Sequence, residues 1–198
     1  MLSLMKLSTC SRCPLCGVKQ CTLFHILVNC SKALRDKRYT WRHDSVIATL
    51  LQILVPRLIA QNAEPPSSQL WPRIQFVKAN ANPSKTVHQV RKRCSILSVA
   101  NDWQLLADFD HCRMLFPVEI CSTNERPDIV IWSFSAKTVI LVELTCPAEE
   151  NIDAAAAKKT ARYQALVELI SSHWTVHLRT VEAEPRGSIA HSFRKLFR

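Results

Sequence analysis

A chain of 198 residues, 47% of them hydrophobic, suits one globular domain with a small appended module and is too apolar to be disordered. Lys and Arg number 26 against 16 Asp and Glu, which leaves a formal charge of +10 and favours a polyanionic partner such as a nucleic acid. The two glycines, Gly17 and Gly187, exclude a glycine-rich phosphate loop and with it a Walker-type nucleotide site.

A helix is predicted over His43–Ile59, beginning near Arg42–Asp44, because its apolar residues recur at helical spacing. A proline-containing linker follows at Gln61–Ser68. Three short strands and one loop are predicted in the middle of the chain; the strands are Arg73–Lys78, Trp103–Phe109 and Arg113–Phe116, and the loop is Ala79–Lys85.

The last third of the chain has the clearest pattern. Runs rich in Val and Ile predict two strands, Ile129–Trp132 and Thr138–Leu144, joined as a hairpin by a turn at Ala136–Lys137. A helix, a third strand and a terminal helix are predicted at Glu149–Ser171, Thr175–Val181 and Ile189–Phe197. Strand, strand, helix, strand in succession predicts an α/β core with a mixed sheet.

The basic charge and the cysteines are both concentrated near the N-terminus. Residues 1–63 hold nine Lys and Arg against two acids, and five of the nine cysteines lie between Cys10 and Cys30. This distribution is typical of a metal site in a reducing compartment rather than of a disulfide framework. The opening residues do not resemble a secretory signal, and no apolar run approaches the roughly 18–20 residues of a membrane span. We therefore expect a protein that is not secreted and has no membrane partner.

A cluster of cysteines and a histidine has the spacing of a metal site, C-x2-C-x8-H-x4-C. We call it the Cys/His cluster, and its members are Cys13, Cys16, His25 and Cys30. Three thiolates and one imidazole form the closed ligand set of a structural zinc site, and a helical segment near Leu23–Asn29 would present the last two members together. Cys10 and Cys21 could each replace one ligand. The alternative is a small apolar cluster of reduced cysteines.

Two carboxylates, which we call the acidic pair, lie at the open end of the predicted hairpin. Asp128 opens the first strand and Glu143 closes the second, so a hairpin makes them neighbours. Two such acids repel each other unless a divalent cation lies between them, and Mg²⁺ or Mn²⁺ prefers oxygen ligands. A cation there could activate water for attack on a phosphodiester, and Lys158 or Lys159 of the following helix could neutralise the developing charge. The alternative is that the acids are simply solvated at strand ends.

Together these motifs resemble the region downstream of the reverse transcriptase in site-specific non-LTR retrotransposons that use a restriction-like endonuclease. In that family a CCHC knuckle precedes a PD-(D/E)XK nuclease domain. The segments that carry the resemblance are CPLC…H…C at Cys13–Cys30, RYTWRHDSV at Arg38–Val46, RPDIVIWS at Arg126–Ser133, KTVILVELTCPAEENI at Lys137–Ile152 and KKTARY at Lys158–Tyr163. In the commoner motif the lysine follows the second acid by two residues, where this chain has Thr145.

The resemblance implies a zinc knuckle in residues 1–36 and an α/β restriction-endonuclease-like core in residues 37–198, with a mixed central sheet flanked by helices. It implies that Asp128 and Glu143 bind Mg²⁺ or Mn²⁺ and that Lys159, or alternatively Lys158, is the nuclease lysine. An Arg-His-Asp element at Arg42–Asp44 would help to position DNA, although Asp44 could instead cap the helix. The residues expected to contact DNA are Arg38, Arg42, His43, Arg126 and Tyr163, of which Tyr163 could instead belong to the core.

We therefore expect a metal-dependent endonuclease that nicks DNA by hydrolysis, with structural zinc and catalytic Mg²⁺ or Mn²⁺, in the nucleus or in both nucleus and cytoplasm. Element RNA, and a reverse transcriptase acting in trans, are further candidate partners because the chain contains no polymerase segment. One alternative is a catalytically inactive nucleic-acid-binding remnant with the same fold. Another is a zinc-bearing interaction protein that does not bind nucleic acid.

Overall fold

In the computed structural model, which describes residues 12–19, 21–63, 70–72, 89–91, 95–109, 113–146 and 152–183, a four-stranded mixed sheet lies between two long helices. The helices are α1 (Ser31–Arg35), α2 (Arg38–Ala63) and α3 (Ile152–Ser171), with a π-helical turn at His25–Asn29 and a 3₁₀ turn at Ile96–Val99. The strands are β1 (Leu70–Pro72), β2 (Gln89–Arg91), β3 (Gln104–Ala107), β4 (Ile129–Ser133), β5 (Thr138–Thr145) and β6 (Thr175–Glu182).

The main sheet has the order β3-β4-β5-β6, and β1 pairs separately with β2. Strands β3, β4 and β5 are antiparallel neighbours, whereas β6 lies parallel to β5 after the crossover through α3. The β4–β5 hairpin pairs Ile129 with Val142 and Ser133 with Thr138, and Lys137 takes a left-handed conformation in the turn. The predicted hairpin and the α/β core with a mixed sheet are therefore confirmed.

A helix covers each face of the sheet. Because successive strand residues point to opposite sides, each strand contributes side chains to both cores. The core on one face joins α2 to the sheet and contains Ile47, Leu50, Leu54, Leu58, Ile129, Ile131, Ile140, Val142 and Leu144. The core on the other face joins α3 to the sheet and contains Val130, Trp132, Val139, Leu141, Tyr163, Leu166 and Ile170. Burial on both sides explains why β4 and β5 are continuous apolar runs rather than alternating ones.

Helix α2 extends beyond the predicted His43–Ile59 at both ends, and its last residues occupy the start of the predicted linker. By length and composition this helix could cross a membrane, which differs from the expectation that no apolar run is long enough. Single polar residues such as Gln52 and Arg57 interrupt the apolar run but do not lower the mean hydropathy of the helix enough to exclude a span. The core helix of a globular domain meets the same criterion. Its buried residues, spaced three or four apart, pack against the sheet as such a helix does.

The remaining elements match the predictions in part. Helix α3 and strand β6 agree with the predicted segments, although residues 147–151 at the predicted helix start lie outside the described residues. The strand predicted at Trp103–Phe109 is shorter, as β3. The strand predicted at Arg113–Phe116 is wrong: Arg113 has a φ of 46°, which turns the chain out of an extended path. The predictions at Arg73–Lys78, Ala79–Lys85 and Ile189–Phe197 lie outside the described residues.

Candidate functional site

The Cys/His cluster is brought together as a group that could bind zinc. The ligand atoms of Cys13, Cys16, His25 and Cys30 all lie within 4.8 Å of one another. The Sγ atoms of Cys13 and Cys30 are 3.9 Å apart, and Cys16 Sγ lies 3.1 Å from His25 Nε2. A regular tetrahedron with Zn–S bonds of about 2.3 Å separates two sulfurs by about 3.8 Å. The four residues therefore have the ligand types of a structural zinc site and lie close enough together that they could bind zinc.

Local backbone geometry creates this arrangement. The N–H of Gly17 donates to the carbonyl of Cys13 at 2.9 Å, and the N–H of Cys13 donates to the carbonyl of Val18 at 2.9 Å. This turn holds Gly17 at a φ of 75°, a conformation that glycine adopts readily. The predicted helical segment is confirmed as the π-helical turn, whose wider winding brings His25 and Cys30, five residues apart, to one side.

The electrostatics of the Cys/His cluster favour a thiolate at Cys13 and oppose one at Cys16, whose pKa is raised. A hydrogen bond from the backbone of Cys16, only partly opposed by burial, lowers the pKa of Cys13 to about 6. The thiolate is the form that binds metals. Cys21, one of the two alternative ligands, packs beside the cluster but is not among the four converging residues, and its thiol donates to the carbonyl of Thr22. Cys10 lies outside the described residues.

Helix α2 anchors the Cys/His cluster through two side chains. The N–H of Cys30 donates to the hydroxyl of Tyr39 at 3.0 Å, and this hydroxyl donates to the carbonyl of Ile26. The guanidinium of Arg42 donates to the carbonyl of Leu27 at 2.9 Å and lies 5.3 Å from the centre of the Tyr39 ring. Tyr39 is not among the site residues predicted from the sequence. Its position four residues before His43 places both on the same side of a helix, and this spacing could have identified it.

The acidic pair meets at the open end of the β4–β5 hairpin. Continuing the register of the two strands by one residue places Asp128 opposite Glu143. The N–H of Asp128 donates to Glu143 Oε2 at 3.3 Å, and the N–H of Leu144 donates to Asp128 Oδ2 at 2.7 Å. The side chain of Glu143 is only 2% exposed, and that of Asp128 is 14% exposed. Two carboxylates thus lie together in a largely enclosed place.

Of the two candidate lysines, Lys159 reaches the acidic pair. Its Nζ donates to Glu143 Oε1 as an ion pair, and its side chain remains 30% exposed, whereas Lys158 is exposed. Burial and the neighbouring charge of Asp128 raise the pKa of Glu143, although Lys159 opposes this effect. The lysine therefore compensates a carboxylate that would otherwise be costly to bury.

His43 connects α2 with the acidic pair. Its Nε2 lies 3.3 Å from Asp128 Oδ2 and its Nδ1 lies 3.2 Å from Asp44 Oδ1. Burial opposes a charge on His43, but both carboxylates outweigh it and raise its pKa to about 9. At neutral pH both ring nitrogens therefore donate. Asp44 lies inside α2, so the alternative that it caps the helix is wrong.

The other residues expected to contact DNA differ in their accessibility. Arg38 and Arg126 are exposed, whereas Arg42 is committed to the carbonyl of Leu27. Tyr163 is fully buried, and its hydroxyl donates to the carbonyl of Arg126 at 2.9 Å. In this conformation Tyr163 cannot touch DNA, and it serves instead as a core residue that fixes the segment leading to Asp128.

The acidic pair has the ligand type that could hold a divalent cation. Mg²⁺ usually binds to one or two carboxylates and retains several waters, so two acids are a sufficient protein contribution. Asp128 Oδ1 takes part in none of the hydrogen bonds among the described residues, which leaves an oxygen available. The site therefore combines two carboxylates, one lysine and one histidine at the open end of the β4–β5 hairpin.

Comparison of the chain with family models, with curated proteins and with solved structures found no match.

Proposed function

We propose that this protein is a metal-dependent DNA endonuclease with a restriction-like PD-(D/E)XK fold, related to the endonucleases of non-LTR retrotransposons. One observation carries the proposal: Asp128 and Glu143 face each other across β4 and β5, with Lys159 bound to Glu143. Burying two acids side by side is unfavourable for stability, since each raises the cost of charging the other. Such an arrangement is typical of a functional site.

Each residue has a definite task in this proposal. Asp128 and Glu143 hold the cation, which when bound supplies Lewis acidity toward water and phosphate. Lys159 is partly exposed, so its ammonium can approach a phosphate at this end of the sheet and stabilise the negative charge that develops there. His43 donates to Asp128 Oδ2 and limits the rotation of that carboxylate, which would leave Oδ1 to hold a cation.

The N-terminal part would bind the nucleic acid. Zinc in the Cys/His cluster would be structural, because a closed set of four protein ligands leaves no open position for chemistry. It would stabilise the turns that carry the four ligands. Exposed cations lie where α1 ends and α2 begins, namely Arg35, Lys37 and Arg38. They are suited to contact phosphates, which gives affinity without sequence specificity. The substrate in this proposal is DNA in the nucleus.

A plasmid-nicking assay with Mg²⁺ or Mn²⁺ tests the proposal. We expect the parent protein to convert supercoiled to open-circular plasmid, and Asp128→Asn and Glu143→Gln to abolish conversion while retaining DNA binding. Glu168→Gln, an exposed acid on α3, is the matched control and should nick like the parent. Equal nicking by all variants would exclude the acidic pair as the active site.

DNA binding measured against salt concentration separates the alternatives. Affinity that falls steeply with salt, without nicking under any cation, would favour the inactive nucleic-acid-binding remnant. Absence of salt-sensitive binding would favour an interaction protein that carries a zinc site.

A further inference from the structure

The hydroxyl of Thr145 lies near the acidic pair and has no role in the function proposed above. Thr145 ends β5, and its side chain is buried, with the residue only 7% exposed. Its hydroxyl has no hydrogen-bond partner among the described residues. A buried hydroxyl without a partner costs free energy, so its presence there requires a reason.

The alternation of β5 determines which face Thr145 occupies. Val139 and Leu141 pack in the core beneath α3, and Glu143 contacts Lys159 of that helix. Leu144 and Cys146 belong to the opposite face, which α2 covers. Thr145 therefore lies on the same face as Glu143, two residues farther along and about 6.6 Å away along the strand.

The surroundings of Thr145 are polar at this end of the sheet. Its register partner in β6 is Glu182, also buried at 3% exposure, and parallel partners share a face. The Thr145 side chain thus lies on the face of the sheet that α3 covers, which also carries the carboxylate of Glu143 and the ammonium of Lys159. A water molecule satisfies a buried hydroxyl where it finds several polar partners.

We propose that the hydroxyl of Thr145 is a positioning group that hydrogen-bonds a water molecule hydrating the divalent cation at the acidic pair. This inference rests on the proposed function, since it requires a cation there. Mg²⁺ and Mn²⁺ bound by two carboxylates retain several waters, and fixing one of them needs a polar group outside the first ligands. The separation of about 6.6 Å along the strand suits a contact through one water rather than direct coordination.

The affinity for Mn²⁺, measured by the electron paramagnetic resonance signal of the free ion, tests the inference. Thr145→Val replaces the hydroxyl by a methyl group of the same shape. We expect Mn²⁺ to bind about three- to tenfold more weakly, as for the loss of one hydrogen bond. The melting temperature should stay the same or rise, because an unsatisfied buried hydroxyl is removed. Thr145→Ser, which keeps the hydroxyl, should bind Mn²⁺ like the parent.

Thr138→Val is the matched control on the same strand. Thr138 is buried at the other end of β5, and its hydroxyl donates to the carbonyl of Ala136 at 3.0 Å. This variant should lower the melting temperature and leave Mn²⁺ affinity unchanged. Thr145→Val should change the Mn²⁺ affinity without lowering the melting temperature, and Thr138→Val should do the reverse. This contrast separates a role at the cation site from a role in folding.

Three results would overturn the inference alone, and a fourth would overturn it together with the proposed function. Parental Mn²⁺ affinity in Thr145→Val would do so, and so would equal weakening in Thr145→Val and Thr145→Ser. A marked fall in the melting temperature of Thr145→Val would mean that the hydroxyl has a partner within the protein. If the parent binds Mn²⁺ no better than an Asp128→Asn/Glu143→Gln double variant, the proposed function itself fails and the inference with it.

Discussion

Replacing Tyr39 by Phe should weaken zinc binding without touching a zinc ligand. The Tyr39 hydroxyl accepts a hydrogen bond from the N–H of Cys30 at 3.0 Å and donates to the carbonyl of Ile26 at 3.5 Å. The first bond is the shorter one, and Cys30 is 0% exposed, so water cannot replace the lost acceptor. The Tyr39→Phe variant therefore removes a side-chain acceptor from a buried N–H.

The magnitude follows from this single group. A buried donor left wholly unsatisfied costs about 1–3 kcal/mol, and the backbone of the π-helical turn reduces that figure to about 1–2 kcal/mol. If the Cys/His cluster folds around zinc, as small zinc sites generally do, this cost appears in the zinc affinity. The dissociation constant for zinc should rise about five- to thirtyfold, since 1.4 kcal/mol corresponds to a factor of ten.

Competition with a chromophoric zinc chelator measures this change, and the chain provides its own control. It has two tyrosines, and the hydroxyl of the other, Tyr163, donates to the carbonyl of Arg126 in the distant α3 core. Tyr163→Phe should lower the melting temperature by about 2–4 °C, as for a loss of about 1 kcal/mol in a chain of this size, and leave zinc affinity unchanged. Parental zinc affinity in Tyr39→Phe, or equal weakening in both variants, would refute the reasoning.

Two further changes test the remaining contacts. Lys159→Gln should reduce the initial rate of plasmid nicking at least a hundredfold, because it removes the ammonium bound to Glu143. Lys158→Gln is the control and should nick at the parental rate. Equal effects of the two variants would contradict the assignment of Lys159. Asp102→Ala should destabilise the fold by about 1–2 kcal/mol in urea unfolding, because its carboxylate accepts hydrogen bonds from the hydroxyl of Ser133 and from the N–H and hydroxyl of Ser135. Burial opposes the charge of Asp102, but these bonds outweigh it and hold its pKa below the usual value. The difference from the parent should therefore be complete above about pH 4 and shrink as the pH falls further; a constant difference would contradict this account.

The β4–β5 hairpin was predictable from the sequence because its information is local. Runs of Val and Ile separated by a short turn leave few alternatives, and the register then follows from the turn. With the register set, Asp128 and Glu143 had to be neighbours, so the acidic pair could be foreseen. The Cys/His cluster was foreseeable for the same reason, since its spacing lies within 18 consecutive residues, from Cys13 to Cys30.

Contacts between distant segments could not be read in this way. His43 and Asp128 are 85 residues apart and meet only because α2 packs across one face of the sheet. Arg42 was expected at DNA, yet its guanidinium binds the carbonyl of Leu27. Tyr163 was expected at the surface or in the core with equal justification, and packing of α3 placed it inside. Each outcome depends on the orientation of a helix about its own axis. Hydrophobic periodicity predicts which side of the helix is buried, but not which residues at the border of that side make a given contact.

The sequence by itself determined the chemistry that this chain carries: soft ligands at one end, paired carboxylates on a hairpin, and a surplus of positive charge. Only the tertiary structure decided which of two adjacent lysines reaches the acids, because neighbours on a helix point about 100° apart and one alone can face the sheet. It also decided that α2 contacts both the Cys/His cluster and Asp128, through Tyr39 and His43. Ligand types are a property of residues, whereas their convergence is a property of packing.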